Sequence, residues 1–334
     1  MFVIDNYILA VVFCFITMLC WGSWANTQKL SSEKWPFQLF YWDYTFGILF
    51  ITFLFAFTFG SFGDVGRDFI SDFYQADYHN LMSAFIGGII FNFANLLLVI
   101  GIEIAGMAIA FPIGIGIALV LGVFTNYIAQ PEGNPYVLLV GVSLVAIAIL
   151  IDGVAYKKIL QNSNKSAFKG ILISLTAGIA MGFFYKFVAT SMASNFITPQ
   201  PGKLTPYTAL VIFSLGIIIS NFLFNTLNMY FPLSGEKVNF KDYFRIGTTK
   251  LHLIGILGGV VWGIGMSLNI LASEQAGPAI AYGLGQGATL VAAIWGVFVW
   301  KEFKDLPSKN KWLIPMMFLL FVSGIGLIII AKLV

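Results

Sequence analysis

The chain has 334 residues, of which 59% are apolar and 10% are Asp, Glu, Lys or Arg, and its formal net charge is +3. A soluble domain carries roughly a quarter charged residues, so this composition excludes a water-soluble globular protein. The small, dispersed positive charge also excludes the basic surface that a nucleic-acid partner would need.

Ten apolar stretches follow one another along the chain, and each has the length of about 20 residues that crosses a hydrocarbon core. They must be helices, because a strand in lipid would leave its backbone groups unpaired. The predicted fold class is therefore all-α and integral to the membrane, with ten transmembrane helices. The predicted spans are 7–28, 37–60, 81–102, 106–129, 135–155, 169–190, 207–231, 251–272, 277–300 and 312–332.

Lysine and arginine residues are concentrated in alternate loops, those after the first, fifth, seventh and ninth spans. By the positive-inside rule, both termini are expected outside and the 156–168 linker in the cytoplasm. The predicted location is the plasma membrane, which in a bacterium is the inner membrane, crossed many times. The residues that set this orientation are Lys29, Lys34, Lys157, Lys158, Lys165, Lys169, Lys237, Lys241, Arg245, Lys250, Lys301, Lys304, Lys309 and Lys311.

An internal repeat aligns residues 87–127 with residues 258–298, without a gap and 171 positions later, and it matches Glu103 with Glu274. Spans three and four thus recur as spans eight and nine. Five is an odd number of membrane crossings, so the second copy must be inverted in the membrane relative to the first. Inverted repeats that rock around a site at the midplane are typical of secondary transporters. The predicted parts are a first five-helix repeat at 1–155, a cytoplasmic linker at 156–168 and a second repeat at 169–334.

Three segments carry a family resemblance: Trp-Gly-Ser-Trp at 21–24, Tyr-Trp-Asp-Tyr-Thr at 41–45, and Ala-Gly-Met-Ala-Ile-Ala-Phe-Pro-Ile-Gly-Ile-Gly-Ile-Ala-Leu at 105–119. They resemble the ureide permease family of the drug/metabolite transporter superfamily, which also contains glucose/ribose and rhamnose porters. The resemblance implies proton-linked uptake of small polar heterocycles such as allantoin or nucleobases. Plant ureide permeases have a long central loop with a nucleotide-binding-like motif. The short linker here lacks Gly-Lys-Ser/Thr, so no cofactor is expected.

Asp43 is an ionisable residue about seven positions inside the second predicted span. A charge at that depth is costly unless it faces a wet cavity or a partner, which makes it a functional candidate. The hypothesis is that Asp43 is the proton-coupling residue. The alternative is an interfacial charge that Lys29 or Lys34 neutralises.

Other residues could bind substrate or gate the path. Lys186, inside the sixth span, could bind a carbonyl-rich or anionic substrate, or extend to the outer interface as a structural lysine. Glu103 and Glu274 occupy equivalent turns, and each could be a gate or could bind free backbone N–H groups at the start of the following helix. Pro112 and the two glycines after it should loosen the fourth helix, as three glycines should loosen the ninth.

Polar and aromatic residues within the spans could shape a pocket for heterocycles or sugars alike, because aromatic rings stack on both and amides bond both. Many could instead form interhelical hydrogen bonds worth about 1 kcal/mol each. The predicted substrate-binding residues are Trp21, Asn26, Gln28, Tyr41, Tyr44, Asn92, Asn95, Lys186, Trp262, Asn269 and Gln286.

The chain is not expected to be an enzyme. His79 and His252 lie far apart, and no spacing of metal ligands or of a nucleophile and base occurs. The expected partners are a small-molecule substrate, a proton or in its place sodium, membrane lipid, and a second copy packed through the fifth and tenth spans, but no nucleic acid. The alternative functions are a sugar porter, a drug/metabolite exporter and, in a different class, a non-transporting membrane scaffold or sensor.

Overall fold

The computed structural model describes residues 1–31, 35–159 and 167–334, which leaves Lys34, Lys165 and the centre of the predicted linker outside the described residues. In the described ranges, the chain is built from α-helices joined by short connections. The helices are α1 Tyr7–Ser23, α2 Ala25–Ser31, α3 Phe37–Phe57, α4 Phe69–Gln75, α5 Tyr78–Ala105, α6 Met107–Ala129, α7 Pro135–Ile159, α8 Ala167–Ser191, α9 Pro206–Tyr230, α10 Phe240–Ile246, α11 Thr249–Ala276, α12 Pro278–Gly285, α13 Ala288–Ile294 and α14 Leu313–Ile330.

Ten segments of the described chain are helical, long enough and apolar enough to cross a membrane, which confirms the ten predicted spans. α1 and α2 together form the first span, and α12, α13 and a short π-helix at Trp295–Val299 form the ninth. α5 and α11 are longer than predicted, with 28 residues each. Their polar ends continue the helix beyond the apolar stretch that sequence reading detects.

The fourth and ninth spans differ in continuity. The ninth is interrupted at Gln286 and Gly287, as its glycines predicted. The fourth is not: α6 runs unbroken with Pro112 inside it, and a role of Pro112 in gating stays a prediction. Pro112 lies in the second turn, where its missing N–H removes one backbone hydrogen bond and the helix continues.

The second half of the chain repeats the helix boundaries of the first. The bounds of α10 and α11 lie 171 positions after those of α4 and α5. The residues that follow α5 and α11, Gly106 and Gly277, have φ angles of 83° and 82°, a conformation that glycine adopts without strain. The inverted orientation of the two copies stays a prediction, which these matched boundaries support.

Helices of the two halves pack against each other through glycines. α3 packs on α11, and α9 packs on α5. A Cβ atom at Gly259 would lie 1.9 Å from the Tyr44 carbonyl oxygen, and one at Gly88 would lie 2.0 Å from the Phe213 carbonyl oxygen. These backbones approach so closely because glycine has no side chain, which is how helices associate where no hydrophobic effect acts between them.

The connections between helices fall at two ends of the bundle. One, here called the lysine-rich end, contains the connections from α2 to α3, α5 to α6, α7 to α8, α9 to α11, and the segment before α14. The other, here called the opposite end, contains the N-terminus and the connections from α3 to α5, α6 to α7, and α8 to α9.

At the opposite end, the connection between α3 and α5 docks on the connection between α8 and α9. Arg67 Nε donates to Asp72 Oδ1 at 2.9 Å, and its guanidinium also donates to three backbone carbonyls at 199–203. Asp72 Oδ2 accepts a bond from the Thr205 N–H at 2.7 Å. These bonds close this end of the bundle.

Candidate functional site

A cavity of about 470 Å³ lies inside the bundle and runs toward the lysine-rich end. Its lining on α5 begins at Phe91, near the middle of the helix, and ends at Glu103, in the last turn. The first two helices, α6, α7, α8, α11 and the interrupted ninth span complete the wall. Both halves of the chain therefore contribute to one cavity.

The inner part of the cavity is aromatic. The indole rings of Trp21 and Trp262 are stacked, with centroids 5.7 Å apart and an interplanar angle of 11°. Phe91 lies against Trp262 with the centroids 4.4 Å apart, and Phe184 meets Phe91 edge-on at 5.2 Å. A flat ligand can stack on the faces of rings that are arranged in this way.

Amide side chains line the same region. Asn95 Nδ2 donates to the Tyr41 hydroxyl at 3.1 Å, which fixes the orientation of the amide. Gln286 lies at the break of the ninth span and is 8% exposed. Amides both donate and accept hydrogen bonds, so they can pair with a polar ligand edge.

The cavity mouth is framed by tryptophans on the segment that ends the ninth span. Trp300 Nε1 donates to Asn26 Oδ1 at 2.6 Å, and Trp295 Nε1 donates to Ser23 Oγ at 2.9 Å. The Lys29 ammonium lies 4.1 Å from the centre of the Trp300 ring. These bonds join the first span to the ninth at the lysine-rich end.

Three carboxyl groups line the cavity near its mouth: Glu103, Asp152 and Glu302. Glu302 accepts a bond from Lys29 Nζ at 2.6 Å and another from the Tyr156 hydroxyl. Asp152 is 9% exposed, and its Oδ1 has no hydrogen-bond partner within the described ranges. The mouth of the cavity is thus rich in carboxyl groups. In the described chain, no group of His, Cys, Asp and Glu is arranged to hold a metal ion.

Six of the predicted substrate-binding residues line this cavity, together with the predicted gate Glu103. The remaining five lie elsewhere, and Pro112 lies between two lining residues of α6 without lining the cavity itself. The six are Trp21, Asn26, Gln28, Asn95, Trp262 and Gln286.

The five substrate-binding predictions outside the lining stay predictions, and four of these side chains form contacts between helices in the structure. Tyr41 positions Asn95, Asn92 donates to Ser220 Oγ at 2.9 Å, and Asn269 donates to the Ala281 carbonyl at 2.8 Å. The Tyr44 ring packs against the Trp24 ring with the centroids 4.8 Å apart. Lys186 is a half-buried side chain of α8.

Asp43 also lies outside the cavity lining, in a polar cluster at the lysine-rich end. It is 2% exposed, accepts a bond from the Tyr243 hydroxyl, and both its oxygens lie 3.0 Å from His252 Nδ1. Lys29 pairs with Glu302 instead, and Lys34 lies outside the described residues. Burial and the bond to Asp43 raise the pKa of Tyr243, so its hydroxyl remains a donor.

Of the predicted pair Glu103 and Glu274, the structure shows a backbone partner for the second. Glu274 accepts a bond from the Phe196 N–H at 2.7 Å, which ties the start of the α8 to α9 connection to α11. Its bonded N–H group thus belongs to this connection and not to the helix that follows Glu274. The gate and capping roles weighed for Glu103 stay predictions.

Sequence reasoning missed Asp152, Tyr156 and Glu302 at the mouth, and His252 beside Asp43. Asp152 lies inside the predicted fifth span, so the rule that identified Asp43 would have identified it too. His252 is 209 positions from Asp43, and the sequence offers no signal that joins them.

Comparisons with known proteins place the chain among membrane permeases. A family model described as ureide permease matches residues 152–331. Ureide permeases 2 and 1 of Arabidopsis thaliana are each 23% identical over 393 and 385 residues, and the alignments cover 98% of the chains on both sides. The putative sugar uptake protein YxfA of Lactococcus lactis subsp. lactis is 24% identical over 74% of this chain and 78% of its own. A solved crystal structure shares the fold, with a TM-score of 0.61, 13% identity and 95% of each chain covered.

Proposed function

Because the chain belongs to the ureide permease family, we propose that its cavity binds a planar ureide or nucleobase and that the protein takes this solute up by alternating access. The protein is a multi-pass membrane transporter of small polar solutes. The substrate class, the direction of transport and the coupling ion are the parts that are proposed here.

The substrate proposal is based on the aromatic inner wall of the cavity. Trp21, Trp262 and Phe91 offer stacking faces, while Asn95 and Gln286 offer hydrogen-bonding groups around the same space. A flat solute rich in N–H and C=O groups satisfies both at once. The cavity volume of 470 Å³ falls within the range of about 300–1,000 Å³ for small-molecule sites.

Alternating access is supported by the difference between the two ends. The cavity extends to the lysine-rich end, while the opposite end is closed by Arg67, Asp72 and the segment they hold. We assign the lysine-rich end to the cytoplasm by the positive-inside rule, which leaves both termini outside and makes this conformation inward-facing. The membrane is the plasma membrane, which is the inner membrane in a bacterium.

Uptake against a gradient needs a coupled ion, and we propose a proton, with sodium as the competing choice. The three carboxyl groups at the mouth support a cation, because only one lysine accompanies them among the described lining residues. Symport would then bring the cation and the solute through one cavity.

A sugar is the second candidate substrate, favoured by the likeness to the putative sugar uptake protein. Sugar rings also stack on tryptophan, and amides bond their hydroxyls. A sugar presents fewer planar N–H donors, so carboxyl acceptors would contribute less to its recognition.

The test is thermal stabilisation of the purified protein by allantoin, uracil, adenine, glucose, ribose, rhamnose and a lipophilic cation, followed by exchange flux in proteoliposomes. A ligand at 100 times its Kd stabilises the folded state by about 2.7 kcal/mol, which raises the melting temperature. We expect allantoin or a nucleobase to do so and to show saturable exchange.

Stabilisation and exchange by sugars alone would overturn the substrate assignment and retain a transporter. A response to the lipophilic cation alone would favour an exporter. Absence of any saturable flux would leave the scaffold or sensor alternative. The control is Trp312→Ala, which removes an exposed indole outside the cavity lining and should change neither result.

A further inference from the structure

The cavity mouth holds more carboxyl groups than cations. Among the described residues that line it, Glu103, Asp152 and Glu302 face a single cation, Lys29. Lys29 Nζ is bonded to Glu302 at 2.6 Å. A buried carboxylate must be paired or hydrogen-bonded, or else become neutral. Because Glu103 is exposed and Asp152 is buried, the numbers leave a place for one additional positive charge, a bound cation or a proton, beside Asp152.

Asp152 is the carboxyl group that most needs this additional positive charge. It lies on α7 with 9% of its surface exposed, and its Oδ1 is buried without a partner within the described chain. The helices that pack on α7 are α6 and α14, and neither contains an Asp, Glu, Lys, Arg or His residue. The segment 301–306 also packs on α7, and its charged residues are Glu302, which lines the cavity, and the exposed Lys301, Lys304 and Asp305. Lys157 and Lys158, later on α7, are exposed. Among the residues that the structure describes, no lysine, arginine or histidine is thus in hydrogen-bonding contact with Asp152.

Glu302, by contrast, is satisfied by the protein. Tyr156, one helical turn after Asp152 on the same face of α7, donates its hydroxyl to Glu302, and Lys29 bonds the other oxygen. Gly296 makes room for this arrangement, since a Cβ there would lie 3.0 Å from Glu302 Oε2 and 3.2 Å from the Tyr156 oxygen. Glu302 therefore has its hydrogen-bond donors within the protein, and it lines the same cavity as Asp152.

Resting on the proposed transport function, we propose that Asp152, and not Asp43, binds the coupling proton. The proton adds to a carboxylate oxygen of Asp152 and forms an O–H bond, so the mouth can close without a bare charge inside. In the inward-facing conformation, in which Asp152 lines the cavity that extends to the lysine-rich end, the O–H bond breaks, a water molecule accepts the proton, and the proton leaves with the solute. Asp43 is already paired with His252 and Tyr243 outside the cavity lining.

The first test needs no substrate. Dicyclohexylcarbodiimide reacts with protonated carboxyl groups in apolar sites and leaves an N-acylurea that peptide mass spectrometry locates. We expect labelling at Asp152 that falls as the pH is raised from about 5.5 to about 8.5, as a titrating carboxyl group requires. Label confined to Asp43, or label at Asp152 that does not change with pH, would overturn the proposal.

The second test compares wild type with Asp152→Asn in proteoliposomes, with allantoin as the probe. One proton per solute permits about tenfold accumulation per pH unit of gradient. We expect Asp152→Asn to keep allantoin exchange and to lose this accumulation, together with the proton influx that a trapped pH dye reports. Asp43→Asn should keep accumulation. Accumulation by Asp152→Asn at the wild-type ratio overturns the assignment, as does wild-type accumulation driven by a sodium gradient alone.

The controls separate the outcomes. Asp68→Asn changes an exposed carboxylate that caps α4 at the opposite end, where asparagine caps equally well, and it should behave as wild type. If Asp152→Asn does not fold, Asp152→Glu keeps the carboxyl group and should retain pH-dependent labelling and accumulation; loss of both in a folded Asp152→Glu contradicts the proposal. Absence of wild-type allantoin exchange is a failure of the proposed substrate, and the labelling experiment still decides the role of Asp152.

Discussion

Trp21 and Trp262 come from different halves of the chain, yet their indole rings stack within 11° of parallel, and the Trp21 Nε1 donates to the Trp262 backbone carbonyl at 3.3 Å. The inner wall of the cavity therefore exists only when α1 and α11 are packed together. Any rocking of one half against the other must move this pair.

Replacing Trp262 by alanine should weaken solute binding. Stacking of a base on an aromatic side chain is worth about 1–3 kcal/mol, so the Kd for the best ligand should rise by about five- to 150-fold. Trp262→Phe keeps an aromatic ring, so its Kd should rise much less. Calorimetric titration with allantoin or a nucleobase measures the Kd of both variants. An unchanged Kd in the alanine variant would show that Trp262 is not part of the binding site.

Tyr243→Phe should destabilise the cluster around Asp43, because a buried carboxylate loses a donor at a cost of about 1–3 kcal/mol. Burial, and then the bond to Asp43, raise the pKa of Tyr243 above that of an unfolded tyrosine. This stabilisation is fully present below about pH 10 and is lost as the pH rises further, since the unfolded phenol ionises first.

The measurement is denaturant unfolding of the detergent-solubilised protein at neutral and alkaline pH. Tyr74→Phe is the matched control, since the Tyr74 side chain is 84% exposed. Equal stability of the Tyr243→Phe variant and wild type at neutral pH would show that the bond to Asp43 contributes nothing.

Gly259→Ala should destabilise the protein by separating α3 from α11. The added Cβ would lie 1.9 Å from the Tyr44 carbonyl oxygen, so backbone must move. Overpacking of this kind costs about 1–3 kcal/mol or more. At Gly326, a helical glycine of α14, a Cβ would meet nothing within 4 Å. Gly326→Ala should therefore gain up to about 1 kcal/mol from the better helix propensity of alanine. Thermal unfolding compares the two, and equal shifts would contradict the close helix approach.

Arg67→Ala should favour opening of the opposite end. Loss of a charged hydrogen-bonding group costs about 1.5–3 kcal/mol, which changes the ratio of closed to open molecules by about ten- to 150-fold. Spin labels at Tyr74 and Thr198, on the two docked connections, should report longer distances in the variant. Arg245→Ala at the lysine-rich end, where the Arg245 side chain is 76% exposed, should leave the distances unchanged. Unchanged distances in both variants would mean that Arg67 does not hold this end closed.

The helical part of the fold was predictable because lipid imposes a simple rule. Each span needs a continuous apolar run, and that run is visible in the sequence without knowledge of its neighbours. The ends of α5 and α11 were missed since polar residues continue those helices past the apolar stretch. The continuity of α6 through Pro112 was missed for a local reason, the position of the proline in the second turn.

The candidate site was predictable in part. Trp21, Trp262 and Asn95 line the cavity as expected, because aromatic and amide groups inside spans are costly unless they serve packing or binding. The same chemistry also describes Asn92 and Asn269, which bond neighbouring helices instead. Residue type alone does not distinguish these two uses.

The sequence by itself determined that the chain is a ten-helix membrane protein, where its charges concentrate, and that its two halves are related, since these follow from composition, hydrophobic period and internal repetition. Tertiary structure alone decided which polar groups meet. Helix packing brings His252 to Asp43, and it brings Glu302 to the cavity wall formed by Asp152 and Tyr156, in both cases across long sequence separations. Such contacts depend on the rotation and depth of each helix against its neighbours, and the apolar runs that insert helices in lipid do not encode these relations.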